Sequence, residues 1–179
     1  MQSTLVLTII GEDRPGLVES LSRVITAHGG NWLESRMARL AGRFAGILQI
    51  SVPEARTAAL REALRALEAE GLKVVVLADD IQSTPEAQRA VTVELTGQDH
   101  PGIVHDLSRV LAARKVNIYE LDTGVSNASW SGESLFQATA RLHLPHDVSI
   151  DELRGILEAL AKDLMVDITL DVNDKAAIR

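Results

Sequence analysis

No cysteine occurs among the 179 residues, which excludes disulfides, thiolate metal ligands and a cysteine nucleophile. No apolar run reaches the roughly 18 residues that a membrane-spanning helix needs. Met1-Gln-Ser-Thr4 leads straight into an alternating segment, with neither a basic stretch nor a small-residue cleavage site, so no export signal is expected. A surplus of positive charge is also missing, the net charge being −7. Proteins that grip DNA through its phosphates normally carry a basic face. Here Arg14, Arg23, Arg36, Arg39 and Arg43 are interspersed with acidic residues. Direct nucleic-acid binding is therefore disfavoured, and any gene regulation is expected to run through another protein. A cytoplasmic location is the natural expectation.

What the chain does have is a duplication. Gly11-Glu-Asp-Arg-Pro-Gly-Leu-Val18 returns as Gly97-Gln-Asp-His-Pro-Gly-Ile-Val104, an offset of 86 residues. At the same offset Leu21-Ser-Arg-Val24 falls on Leu107-Ser-Arg-Val110, Ala27 on Ala113, Asn31 on Asn117 and Glu34 on Glu120. One structural unit is therefore used twice. The expected division is a first domain over 1–80, a linker over 81–89 containing Ser83, Thr84 and Pro85, and a second domain over 90–179. Halves this small lead us to expect a shared interface and a common core.

Hydrophobic periodicity gives the element order. Leu5, Leu7 and Ile9 alternate as in a strand. Leu17, Val18, Leu21, Val24 and Ile25 follow the spacing of an amphipathic helix, ended by Gly29-Gly30. Two extended segments then flank Gly42 as a hairpin, with Phe44, Gly46, Leu48, Ile50 and Val52 along its second arm. Pro53 opens another helix with Leu60, Leu64 and Leu67 as its stripe, Gly71 stops it, and 72–77 is a last strand. The second half repeats the series, with strands over 117–126 and 135–144 and a helix over 150–160. Its last strand is read from the alternation of Leu164, Val166, Ile168, Leu170 and Val172. The fold class is α+β: two ferredoxin-like βαββαβ domains, each an antiparallel four-stranded sheet with its helices on one face. Edge strands of such sheets are commonly covered by association, so a homodimer is expected.

The repeated loop is the candidate site. Asp13 and Asp99 can accept hydrogen bonds from the first free amides of each helix, as caps. Pro15 and Pro101 suit a first helical turn. Gly16 and Gly102 leave the backbone open to a neighbour or a ligand. The product is a helix N-terminus suited to an anionic group such as an amino-acid carboxylate. On its chemistry alone the same loop is also a well-made strand-to-helix turn. The second hairpin carries an insertion, Asn127-Ala-Ser-Trp-Ser-Gly-Glu133, in which Trp130 is either part of a solvated loop or a partner contact. Trp32 and Phe44 are expected to pack in the core or between domains, not to form a stacking platform. His100, His105, His143 and His146 lack a recognisable metal-ligand spacing, and Ser22 and Ser108 lack a histidine to activate them, so neither a metal centre nor an enzyme is expected.

The βαββαβ order, with Asp13-Arg-Pro-Gly-Leu-Val18 after the first strand and Asn31 opening the second, closely resembles the ACT domain, and nearly the whole chain carries the resemblance, twice. Within that family the chain resembles the tandem regulators of glycine cleavage genes that carry no catalytic domain. Ser131-Gly-Glu-Ser-Leu-Phe136 and strands closing at Pro53 and Pro145 fit that subgroup. The resemblance implies no cofactor and an amino-acid ligand, glycine or another small one, bound where ACT units meet. Its contacts would be Asp13, Arg14, Pro15, Gly16, Leu17 and Val18 with Asn31, and Asp99, His100, Pro101, Gly102, Ile103 and Val104 with Asn117. It also implies a partner, a DNA-binding transcriptional activator, with no membrane and no direct nucleic acid. Two departures, His100 for Arg14 and Lys115-Val116 for Gly29-Gly30, imply two unequal sites. The alternatives are an assembly module whose sites are empty, or a regulatory subunit of a metabolic enzyme.

Overall fold

The computed structural model describes residues 1–78, 89–127 and 134–172. Of the linker expected over 81–89, residues 81–88 lie outside the described residues, as do residues 128–133 of the insertion, Trp130 among them. Arg89, expected at the end of the linker, is instead the first residue of a strand. The chain divides into unit 1, Met1–Ser83, and unit 2, Thr84–Arg179.

Unit 1 runs β1 (Gln2–Glu12), α1 (Leu17–Ala27), β2 (Asn31–Leu40), β3 (Arg43–Pro53), α2 (Thr57–Ala66) and β4 (Leu72–Ala78). Short 3₁₀ turns over Glu54–Arg56 and Leu67–Glu70 bracket α2. Unit 2 runs β5 (Arg89–Gln98), α3 (Ile103–Ala112), β6 (Asn117–Asn127), β7 (Ser134–Leu144), α4 (Ile150–Leu164) and β8 (Val166–Val172). The sheets are antiparallel with orders β2-β3-β1-β4 and β6-β7-β5-β8. Both are the ferredoxin-like fold expected from the sequence, used twice.

Alternation decides which face is dry. Leu5, Leu7 and Ile9 of β1 and Leu48, Ile50 and Val52 of β3 are buried with Leu17, Leu21 and Ile25 of α1 and Leu60 and Leu64 of α2. Trp32 and Phe44 are half-buried against this cluster, as anticipated. Val91, Val93 and Leu95 with Leu107, Leu111, Leu153 and Leu157 build the corresponding cluster of unit 2. Each cluster draws its residues from one unit alone, because each unit already has a full apolar face and two striped helices to close it.

Local signals end the elements. Ala41 (φ 48°) and Gly42 (φ 75°) form the two-residue β2–β3 turn with both residues left-handed, the arrangement whose twist matches a hairpin. One strand boundary differs from expectation. Leu164 closes α4, since Leu153, Leu157, Leu160 and Leu164 continue the helical stripe, and left-handed Met165 turns the chain into β8 at Val166. A feature without a sequence signal also recurs at the repeat offset. Each edge strand β2 and β6 carries a bulge, between Trp32 and Glu34 and between Ile118 and Glu120, leaving Leu33 and Tyr119 without partners in the ladder.

Candidate functional site

In both units the candidate loop is tied down in the same way, but not by the bonds expected. The residue capping α1 is Gly16 (φ 92°, ψ −3°), and Gly102 (φ 102°, ψ −10°) caps α3; neither helix start receives a side-chain hydrogen bond. Asp13 and Asp99 are therefore not caps. They lie three residues too early, because the left-handed glycine is interposed before the first helical residue. Pro15 and Pro101 likewise precede the helix instead of occupying its first turn. What the aspartates contribute is backbone. Asp13 N–H donates to the Gly42 carbonyl at 3.0 Å, and Asp99 N–H to the Ser134 carbonyl at 2.8 Å, fastening each loop to the neighbouring hairpin.

Gly11 and Gly97 are set by packing. A Cβ on Gly11 would lie 2.7 Å from the Gly71 carbonyl oxygen, and one on Gly97 would run into Val166. Gly16 is set by its backbone angle alone, since a Cβ there would meet nothing within 4 Å.

The next residue makes a corresponding contact in each unit. An Arg14 guanidinium nitrogen (Nη2) donates to the Glu70 carbonyl at 2.5 Å. His100 Nε2 lies 3.4 Å from the Leu164 carbonyl and its Nδ1 3.1 Å from that of Pro101. Glu70 and Leu164 each stand just before a left-handed residue, Gly71 or Met165, so both side chains reach the last exposed carbonyls of the second helical segment. The exchange of Arg14 for His100 thus preserves a contact. Gly29-Gly30 and Lys115-Val116 are equivalent in the same sense. Gly29 and Lys115 both have positive φ, and Gly30 N–H and Val116 N–H both reach back five residues, to Ile25 at 2.9 Å and Leu111 at 3.0 Å.

The inequality lies elsewhere. The Asp13 carboxylate is 2.6 Å from Arg39 Nε, both partly exposed. At the repeat offset Arg39 falls on Val125, an exposed apolar residue. At these loop and hairpin positions unit 1 therefore sets the Asp13 carboxylate with two guanidinium groups, where unit 2 has the Asp99 carboxylate and an imidazole; each helix also carries an acid in its first turn, Glu19 or Asp106. The clue was available in the sequence, since the fixed offset already paired Arg39 with Val125.

Leu17 and Ile103 are core residues, 4% and 2% exposed, and can offer a ligand only backbone. Val18 and Val104 are half-exposed beside them. Asn31 is not brought to its loop. It pairs across the sheet with Ser51, which pairs with Thr4, whereas the loop begins after Glu12. Eight residues of strand separate the two, about 26 Å. Asn117, in register with His143 and through it Ala90, is separated from Gln98 in the same way. Neither asparagine therefore shares a site with the loop of its own unit.

The other groups weighed find ordinary places. Ser22 Oγ and Ser108 Oγ each donate to a carbonyl three residues back in their own helix, Glu19 and His105, at 2.9 Å. His143 stacks on Tyr119 with ring centroids 4.1 Å apart. Among the described residues there is no group of three or more His, Asp or Glu placed to hold a metal, and no helix long and apolar enough to cross a membrane.

Comparison with known proteins agrees with this geometry. The ACT domain family model matches residues 3–76. The chain is similar to the glycine cleavage system transcriptional repressor of Escherichia coli, with 25% identity over 164 residues, 91% of this chain and 86% of the relative. It is similar as well to the UPF0237 protein MK1213 of Methanopyrus kandleri, 35% identical over 79 residues, which are 42% of this chain and 88% of that protein. Among solved structures, an unknown protein from Galdieria sulphuraria superposes with a TM-score of 0.81 at 28% identity, covering 97% of this chain and 99% of the other.

Proposed function

Because this chain belongs to the ACT-domain family, we propose that it is a cytoplasmic regulatory protein, not an enzyme, that senses a small amino acid and acts through contact with another protein. The observation that carries this reading is the start of α1. Its first-turn amides receive no side-chain cap, and the left-handed Gly16 leaves open space beside them. Such an end favours a carboxylate through both its free N–H groups and its partial positive charge. Arg39 and Arg14 add positive charge, while the Asp13 carboxylate is complementary to an ammonium group. A zwitterion with a small side chain answers all three features. Glycine is the first candidate, supported by the similarity to the repressor named above. Unit 1, with its arginines, is the stronger site.

The regulated partner would be a DNA-binding transcriptional activator of glycine cleavage genes. Ligand would act by favouring one arrangement of the protein and hence the surface that it offers. Titration calorimetry of the full chain with a panel of amino acids is the test. Heat with glycine or another small amino acid, lost in Asp13→Ala while the chain still melts cooperatively, is the expected result. No heat with any member, together with an unchanged melting temperature at millimolar ligand, removes the sensing role.

A further inference from the structure

The outer strands β4 and β8 hold matching places at one edge of each sheet, but α2 and α4 treat them differently. Val76 of β4 and Leu170 of β8 are equivalent, since they face Leu7 and Val93, which correspond at the repeat offset. In unit 1 the half-buried Arg61 of α2 donates from Nη1 to the Val76 carbonyl at 3.0 Å. Arg61 follows the first buried leucine of its helix, Leu60, as Arg154 follows Leu153 in α4. Arg154 makes no such bond. It is exposed, and neither its side chain nor that of Glu158, one turn on, has a hydrogen-bond or ion-pair partner among the described residues. With Leu157, Ile168, Thr169 and Leu170 these two line a cleft of about 300 Å³ between α4 and β8, in which Ile168 and Leu170 are only half-buried. On the other face of β8, Asp167 and Asp171 flank Thr169, and Glu94 of β5 stands opposite Thr169. None of these three acids has a basic partner among the described residues.

We propose that the edge of β8 takes an extended segment of another protein as a fifth strand of the unit 2 sheet, with apolar side chains in the α4–β8 cleft and basic side chains on the opposite face. Strand addition draws its affinity from the main chain and its specificity from alternate side chains. Val76 accepts from outside its ladder, so the equivalent Leu170 and, two residues away, Ile168 turn their N–H and C=O groups outward. An added strand lies about 4.8 Å beyond β8 and alternates as β8 does. Running antiparallel, it sets one residue opposite Leu170 and one opposite Ile168, on the cleft side, where valine or isoleucine fits. Residues opposite Asp171 and Asp167 fall on the other face, and lysine or arginine there meets three acids. α4 turns into β8 through Met165 alone, so its early residue Arg154 lies beside the Leu170 end. An acidic residue at the next cleft-side position is its complement. A second copy does not fit. β8 against β8 in register sets Asp167 on Asp171 twice when antiparallel, and each on itself when parallel, the charged-edge device that keeps like strands apart. The β4 edge, for its part, is closed by Arg61. The docking edge rests on the reading that the protein acts through another protein, and not on amino-acid sensing.

Fluorescence anisotropy of a labelled, end-capped hexapeptide, glutamate-lysine-valine-threonine-valine-lysine, titrated with the full chain tests the proposal, with circular dichroism to verify that each variant is folded. Saturable binding below about 1 mM is expected, since one added strand buries little area. N-methylation of both valines, whose N–H groups face β8, should weaken binding on the order of a hundredfold, whereas N-methylation of the threonine, whose N–H faces away, should leave it intact. Asp167→Lys with Asp171→Lys should weaken it about tenfold, and replacing the peptide's lysines by glutamate should restore binding to that variant. The Ile168 and Leu170 amides should gain protection from hydrogen exchange when the peptide binds. No saturable binding, or valine N-methylation without effect, overturns the proposal. Protection of those two amides that rises with protein concentration in the absence of peptide assigns the edge to a second copy and overturns it as well. Binding indifferent to the paired lysine substitutions overturns the charge pattern. Failure of the peptide leaves the amino-acid calorimetry untouched, and failure of the amino-acid panel leaves this edge untouched, so the two readings fall separately.

Discussion

Replacing Gly16 by other residues isolates what the candidate loop demands of its backbone. Gly16 has φ 92° and ψ −3°, and a Cβ at that position meets nothing within 4 Å. Alanine there creates no clash and removes no contact, so its cost is conformational: about 1–2 kcal/mol for an L-residue held in the left-handed region. For a domain of this size each kcal/mol moves the melting temperature by about 4–8 °C. The Gly16→Ala variant should therefore melt about 4–16 °C below wild type in the unit 1 transition, followed through the fluorescence of half-buried Trp32 and by circular dichroism. Asparagine tolerates left-handed backbone better than alanine, and valine least of the three. The expected order of stability is Gly, Asn, Ala, Val. A cost arising from crowding would instead follow side-chain volume and place Asn below Ala. Gly102 supplies an internal repeat, since its Cβ would find only Asp106 Oδ2, at an ordinary 3.8 Å. An alanine variant within about 2 °C of wild type, corresponding to a few tenths of a kcal/mol, would refute the conformational account, as would Asn less stable than Ala.

Two further outcomes follow from packing and capping. Gly97→Ala drives a Cβ into Val166 and should cost about 1–3 kcal/mol in urea denaturation, with the double variant Gly97→Ala, Val166→Ala less destabilised than the sum of the singles. Ser149→Ala removes the hydroxyl that accepts the Glu152 N–H at 3.0 Å, and about 1 kcal/mol of protection should disappear from the first turn of α4 in hydrogen exchange.

The fold was largely readable because its signals are local and doubled. Strand alternation and helical stripes recur in the second unit, the left-handed glycine before the first helix recurs 86 residues on as Gly16 and Gly102, and each copy corroborates the other. The errors have physical causes. Leu164 satisfies both a strand alternation ending in Val172 and a helix stripe beginning at Leu153, and only the turn at Met165 separates the two. Asp is a good cap by residue type, yet a left-handed glycine between each aspartate and its helix already ends the turn. The two departures expected to make the sites unequal, Arg14 to His100 and Gly29-Gly30 to Lys115-Val116, conserve their contacts. A guanidinium and an imidazole can both approach a carbonyl, and lysine can adopt positive φ when the surrounding bonds hold it there. Arg39 carries no local signal, because its partner Asp13 is 26 residues away in sequence and close only through the hairpin. The separation of Asn31 from its own loop follows from strand register, which single-residue patterns do not carry.

The bulges at Leu33 and Tyr119 bear on how these edge strands can change in length. Trp32 faces the core opposite Ile50, Glu34 faces away opposite Gln49, and Leu33 occupies no rung between them. Deleting Leu33 would leave every later side chain of β2 on the face it already has. Deleting Ser35 would instead transfer those nearer the hairpin to the opposite face, bringing Arg36 inward and Met37 out to water. Each unit thus contains one position where its edge can lose a residue without turning over, and substitutions alone would never reveal it.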